Sequence, residues 1–186
     1  MNKGKLFVIT GPSGTGKGTV LKRVFADIDN IFYSISATTR SPRPGEEHGR
    51  EYYFVSKSDF EDMIANNKLL EHAAYSGNYY GTPLQPIQEK TEAGKDVVLE
   101  IELQGAIQVR KRCPDAAFIF ISPPSMEELE RRLRSRATED EAHIQMRLAK
   151  AKEECAAADK FDHIVVNDDL DTAVNELCKV ILSYRK

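Results

Sequence analysis

Apolar residues fall along this chain in two rhythms, short unbroken runs and helical repeats. Leu6 to Thr10 is a short apolar run bounded by Gly4 and Gly11, which predicts a buried strand. Ile31–Ser36, Val97–Glu102, Ala116–Ile121 and Ile164–Asn167 predict further strands. Between them, Val20, Leu21, Val24 and Phe25 carry helical spacing, as do Leu170, Val174, Leu177 and Ile181 in a last helix over 168–184. Helices are also expected over Pro83–Ala93, stopped by Gly94, and over Gly105–Lys111. Three capping-box patterns open helices: Ser58 with Glu61, Ser125 with Glu128, and Thr138 with Glu141, the last leading a long helix towards Ala158. Tyr52–Val55 is β-like, and Tyr75–Tyr80 reads as a hairpin around Ser76-Gly77-Asn78.

Five core strands, 6–10, 31–36, 97–102, 116–121 and 163–167, alternate with helices. That order predicts an α/β three-layer fold with a mainly parallel five-stranded sheet. The tyrosine-rich, β-rich stretch 37–92 and the arginine-rich helical stretch 125–150 interrupt it. Both follow core strands, so both are expected above the carboxyl ends of the sheet, where ligands bind in such folds. One domain is expected over 1–186, its core made of 1–36, 93–124 and 151–186.

Composition narrows the classes of function. The chain has 186 residues, 41% hydrophobic and 30% charged, with a formal net charge of −3. A general binder of nucleic acid or of anionic membranes is not favoured. Its arginines nevertheless cluster, at 40, 43 and 50 and again at 131, 132, 134 and 136, which suits a small anionic ligand. Three widely spaced cysteines, Cys113, Cys155 and Cys178, suggest neither a disulfide framework nor a zinc site. No apolar run reaches transmembrane length, and the first residues lead into a core strand, so a cytoplasmic protein is expected.

The candidate chemistry begins at Gly11-Pro12-Ser13-Gly14-Thr15-Gly16-Lys17-Gly18-Thr19. A glycine-rich turn between strand and helix lets backbone N–H groups converge on phosphate, with the helix dipole behind them. Lys17 would bring a cation to the β- and γ-phosphates of ATP. The motif departs from G-x-x-x-x-G-K-[ST] at Gly18, where the usual hydroxyl is missing. Thr19 then takes over near Mg²⁺, or the ion is held by water, phosphates and a carboxylate elsewhere. G-K-G-T resembles the loop of small nucleoside-monophosphate kinases.

An acceptor site is suggested by Arg40 and Arg43, three residues apart and stiffened by Pro42. A solvated basic loop is the plainer reading of such a pair, but Tyr52, Tyr79 and Tyr80 accompany it. Glu100 and Glu102 alternate on a predicted core strand and should face the same way. Glu71 sits among apolar neighbours. Guanine offers adjacent N–H donors that a carboxylate accepts in pairs and adenine does not, so Glu71 is a sensible guanine reader.

These blocks together resemble the guanylate kinase family over essentially the whole chain. The most specific are Thr38-Thr39-Arg40-Ser41-Pro42-Arg43, Ser76-Gly77-Asn78-Tyr79-Tyr80-Gly81-Thr82 and Glu100-Ile101-Glu102-Leu103-Gln104-Gly105. The resemblance implies phosphoryl transfer from ATP to GMP with Mg²⁺, by a protein acting as a monomer or small homo-oligomer. It implies that Arg40, Arg43, Tyr52 and Tyr80 hold the GMP phosphate, and that Ser36, Glu71, Thr82 and Glu102 read guanine. Glu100 would lie on the metal side of the phosphates, and Asn167 would join residues 11–19 in binding ATP. The stretch 37–92 becomes the GMP-binding region. The stretch 125–150 becomes a lid whose Arg132, Arg136 and Arg147 serve catalysis with Lys17, while Arg131 and Arg134 stay on a solvated face. Two other readings compete: a non-catalytic interaction module with this fold, and a kinase for a different monophosphate.

Overall fold

The computed structural model describes residues 3–75, 77–135 and 140–185. In chain order its elements are β1 (Leu6–Thr10), α1 (Lys17–Asp27), β2 (Ile31–Tyr33), β3 (Ala37–Thr38), β4 (Tyr53–Phe54) and α2 (Lys57–Ala65). There follow β5 (Leu69–Tyr75), β6 (Asn78–Pro83), α3 (Leu84–Glu92), β7 (Asp96–Glu100) and α4 (Leu103–Arg112). The chain ends with β8 (Ala117–Ser122), α5 (Met126–Ser135), α6 (Glu141–Ala156), β9 (His163–Val166) and α7 (Leu170–Ser183). The main sheet is parallel and five-stranded, in the order β2-β7-β1-β8-β9, and a smaller sheet runs β4-β3-β6-β5. By compactness the chain divides into two units, Met1–Val8 with Asn30–Ala116 and Ile9–Asp29 with Ala117–Lys186.

In the first unit, β2 pairs with β7 in parallel, Phe32 opposite Val97. The smaller sheet also belongs to this unit. Its β5 and β6 form an antiparallel hairpin in which Tyr75 faces Asn78 and Glu71 faces Thr82. Ala37, Phe60 and Leu69 are buried together under it. In the second unit, β8 pairs with β9, Ile119 opposite His163, and residues 117–121 of β8 are all buried. Leu129, Leu133 and Ala151 join α5 to α6 in a separate apolar cluster.

The local expectations hold for most elements and fail at specific boundaries. The strand expected over 31–36 stops at Tyr33, and Ala37–Thr38 joins the other sheet, paired with Gly81 and Tyr80. One apolar stretch thus serves two sheets, which a run of β-formers cannot reveal. The strand expected over 97–102 ends at Glu100, and Glu102 is instead the extended N-cap of α4 at φ −77° and ψ 162°. Glu100 and Glu102 therefore do not share a strand face. The cap of α2 is Ser56, not Ser58: its hydroxyl accepts the Asp59 N–H at 3.0 Å, and Ser58 lies inside the first turn. Ser125 does cap its helix, accepting the Glu128 N–H at 3.1 Å. For α6 the cap is Asp140, which accepts from His143 N, while Thr138 and Glu139 lie outside the described residues.

Candidate active site

The glycine-rich turn and its helix belong to the second unit. Its frame is built from backbone oxygens. Thr15 is fully buried, its hydroxyl donates to Pro12 O at 2.9 Å, and its own carbonyl accepts from Asn167 Nδ2 at 2.6 Å. Gly16 is the N-cap of α1 at φ 84° and ψ 18°, a left-handed conformation that favours glycine. A Cβ there would also lie 2.7 Å from Asn167 Nδ2. No side chain caps α1 and no acid sits in its first turn, so the positive end of the helix faces outward undiluted. Lys17 Nζ folds back on the turn, donating to Gly11 O at 2.5 Å and Pro12 O at 3.0 Å. An ammonium gathered at the uncapped N-terminus of a helix is a place for phosphate.

Gly18 and Thr19 are exposed, and a Cβ on Gly18 would meet nothing within 4 Å. Neither packing nor an unusual φ calls for glycine at this helical position. Gly18→Ala should therefore raise the stability of the ligand-free protein by about 0.5–1 kcal/mol. That corresponds to roughly 1–4 °C in thermal unfolding; an unchanged or lower midpoint would show that glycine has a structural role here.

Arg132, on α5, donates through Nε to Glu128 Oε1 at 2.7 Å and through Nη1 to Asn167 O at 2.9 Å. It is thereby tied to the residue that braces the phosphate turn. Arg131 and Arg132 together hold the Glu128 carboxyl down at about 2. Arg131 is mostly exposed, and Arg134 pairs with Glu130 and Glu141, in keeping with a solvated face. Arg147 is half-buried on α6, and Arg136 lies outside the described residues.

The remaining candidates lie in the first unit. Ser36, Tyr52, Glu71, Tyr80, Glu100 and Glu102 line one cavity of about 240 Å³. Glu71 is 5% exposed and Thr82 only 1%. Their cross-strand register brings the Thr82 hydroxyl to Glu71 Oε1, to which it donates at 2.6 Å. Burial pushes the Glu71 carboxyl above its usual range, with the Thr82 hydrogen bonds opposing the shift. Such a carboxylate at a cavity wall is costly when charged and lacking further donors, and complementary to a ligand that brings N–H donors. Tyr52 and Tyr80 meet edge to face with centroids 6.1 Å apart.

Arg40 does not line that cavity. Its guanidinium forks onto Glu46, with Nη2 to Oε1 at 3.0 Å and Nη1 to Oε2 at 2.9 Å, 5.4 Å from the centre of the Tyr52 ring. Glu46 also accepts the Arg43 N–H at 2.8 Å, while the Arg43 side chain is exposed. Glu46 was missed as a partner of Arg40, though its place six residues after Arg40 in the arginine tract is a signal. Tyr33 was missed as well; its hydroxyl donates to Glu100 Oε2 at 3.0 Å, across 67 residues of sequence, where no local pattern could point.

A family model described as guanylate kinase matches residues 3–184. The chain belongs to the guanylate kinase family. It is 54% identical to the guanylate kinase of Synechococcus elongatus (strain ATCC 33912 / PCC 7942 / FACHB-805), over 98% of this chain and 100% of that protein. It is 50% identical to the guanylate kinase of Latilactobacillus sakei subsp. sakei (strain 23K), over 98% of this chain and 90% of that one. Among solved structures, the guanylate kinase of Anaplasma phagocytophilum superposes with a TM-score of 0.78 at 32% identity, covering 98% of this chain and 87% of that one. Membership in the family makes the protein an ATP-dependent nucleoside-monophosphate kinase. It does not favour the interaction-module reading or another monophosphate. No helix among the described residues is long and apolar enough to cross a membrane.

Proposed function

We infer that the protein transfers the γ-phosphoryl group of ATP to GMP, giving ADP and GDP. The observation that carries the choice of acceptor is the buried Glu71 carboxylate, one oxygen engaged by Thr82, at the wall of a tyrosine-lined cavity. Guanine presents two adjacent N–H donors to such a group, and adenine, cytosine and uracil do not present that pair to it. In this reading Ser36 and Glu102 complete base recognition. Arg40, Arg43, Tyr52 and Tyr80 take the acceptor phosphate, with Arg40 exchanging its fork on Glu46 for phosphate oxygens of similar geometry.

Residues 11–19 bind the phosphates of ATP, braced by Asn167. Lys17 and Arg132 act on the transferring group, joined in the proposal by Arg136 and Arg147. Phosphoryl transfer asks mainly for positioning and charge stabilisation from these side chains. The segments 37–92 and 125–150 are the parts proposed to close, which would exclude water as a competing acceptor.

Among the described residues no three His, Cys, Asp or Glu side chains gather as a ligand set. Isolated oxygens fit Mg²⁺, an ion that keeps several waters and binds through substrate phosphates. Thr19 and Glu100 are the protein oxygens proposed to stand near it, directly or through water. When bound, the ion neutralises charge on the β- and γ-phosphates. The three free, half-buried thiols support a cytoplasmic setting. The chemistry as proposed calls for neither nucleic acid nor membrane, and suits a monomer or a small homo-oligomer.

Coupled assays of ATP consumption with GMP, AMP, CMP and UMP test the reading. Turnover with GMP of roughly 1–100 s⁻¹ is expected, with the other three far slower. Absence of turnover with GMP, or faster turnover with AMP, overturns it.

A further inference from the structure

Strand β5, which carries Glu71, is the outer strand of the smaller sheet. Among the described residues no strand pairs with its far side, and three residues of α4 meet it instead. Gln108 behaves like a strand partner: its Oε1 accepts the His72 N–H at 3.2 Å and its Nε2 donates to His72 O at 2.8 Å. Arg112 Nη1 donates to Leu69 O at 2.6 Å and to Leu70 O at 2.7 Å. The backbone is thus gripped immediately before and immediately after Glu71. Gly105, Gln108 and Arg112 are spaced three and four apart and so share one face of the helix.

The third contact is a matter of space. Gly105 is buried inside α4, where glycine is a poor helix former. A Cβ on Gly105 would overlap Glu71 Oε2 and lie 3.0 Å from its Cδ. That carboxylate has little freedom to retreat, since Thr82 holds its other oxygen and the side chain is buried. We propose that α4 is the base-specificity element of this kinase, with Gly105, Gln108 and Arg112 as positioning residues that fix where the Glu71 carboxylate stands. This rests on Glu71 being the reader of guanine. The helix sets the sides of the cavity through Gly105 and the height of Glu71 through Gln108 and Arg112. Neither Gln108 nor Arg112 lines that cavity.

The test compares GMP with IMP, which lacks the exocyclic amine and so offers Glu71 one donor fewer. Steady-state kinetics of Gly105→Ala should show KM for GMP raised about 10–100-fold, the range for disturbing hydrogen bonds to a charged group. The GMP-to-IMP ratio of kcat/KM should fall by a similar factor, with KM for ATP within a few-fold of the parent. Gln108→Ala adds no atom to the cavity and should move the same ratio the same way, by about 3–10-fold. General damage to the fold would lower kcat for both substrates and leave the ratio intact. Glu71→Gln serves as the reference. A ratio preserved in Glu71→Gln overturns the reading of Glu71 itself. A ratio lost in Glu71→Gln but preserved in both α4 variants overturns the positioning role alone. If circular dichroism shows Gly105→Ala unfolded, Gln108→Ala decides.

Discussion

Replacing Lys17 by Ala should lower kcat by roughly 10²–10³-fold, the effect of losing one preorganised donor to charge that develops in the transition state. Stability should change far less. In the ligand-free protein Lys17 donates to Gly11 O and Pro12 O, two carbonyls of its own turn. Their loss costs about 1 kcal/mol, because solvent replaces the ammonium at a half-exposed site. That amounts to a few degrees in thermal unfolding. The rest of the frame does not depend on Lys17, since Thr15, Pro12 and Asn167 hold one another. Single-turnover rates together with thermal unfolding separate the two effects. A turnover within threefold of the parent would remove Lys17 from the chemistry, and a collapse of the unfolding midpoint would make its role structural.

Glu71→Gln should reduce the preference for GMP over IMP by roughly 10²-fold or more, because sites built to pair a substrate's N–H groups discriminate strongly through the groups left unpaired. An amide oxygen already receiving the Thr82 hydroxyl leaves an NH₂ facing the donors of guanine, and donor meets donor. The same carboxyl predicts a pH dependence. Burial raises its pKa in the folded state, so its contribution to stability is fully present below the ordinary Glu value and is lost as pH rises through the folded value. Glu71→Gln, which cannot ionise, should therefore gain stability relative to the parent as pH rises through that raised value. The difference should shrink again in acid. Binding runs the opposite way: KM for GMP should climb as pH falls through the same value, since only the ionised carboxylate accepts both donors. A KM profile in the parent that stays flat as pH falls from neutral to below the ordinary Glu value would contradict a charged reader. The unfolding midpoint and the KM titration check the two signs independently.

The legible and illegible parts of the site differ in kind. The phosphate turn was readable because its ingredients are contiguous: strand, glycines, lysine and helix fall within residues 6–27. Arg40 and Arg43 were readable for the same reason, and so was the hairpin between β5 and β6. Glu71 could be suspected from a charged residue among apolar neighbours, but its hydroxyl partner Thr82 is fixed by strand register, 11 residues away. Helix caps misled at Ser58 because Ser56 offers the same chemistry two residues earlier. Glu102 was assigned to a strand by alternation, although its backbone turns into α4.

By itself the amino-acid sequence determined the α/β class, the order of the core elements and the glycine-rich turn between β1 and α1. Those features depend on local periodicity, on glycine and proline, and on groups close together in the chain. The tertiary structure decided the partners: Glu46 on Arg40, Tyr33 on Glu100, Asn167 on Thr15, and Gly105, Gln108 and Arg112 around Glu71. Most of these close across tens of residues or more, as with Asn167 and Thr15, 152 positions apart. Hydrogen bonds and excluded volume act over a few ångströms, so such pairs exist only once the chain has folded.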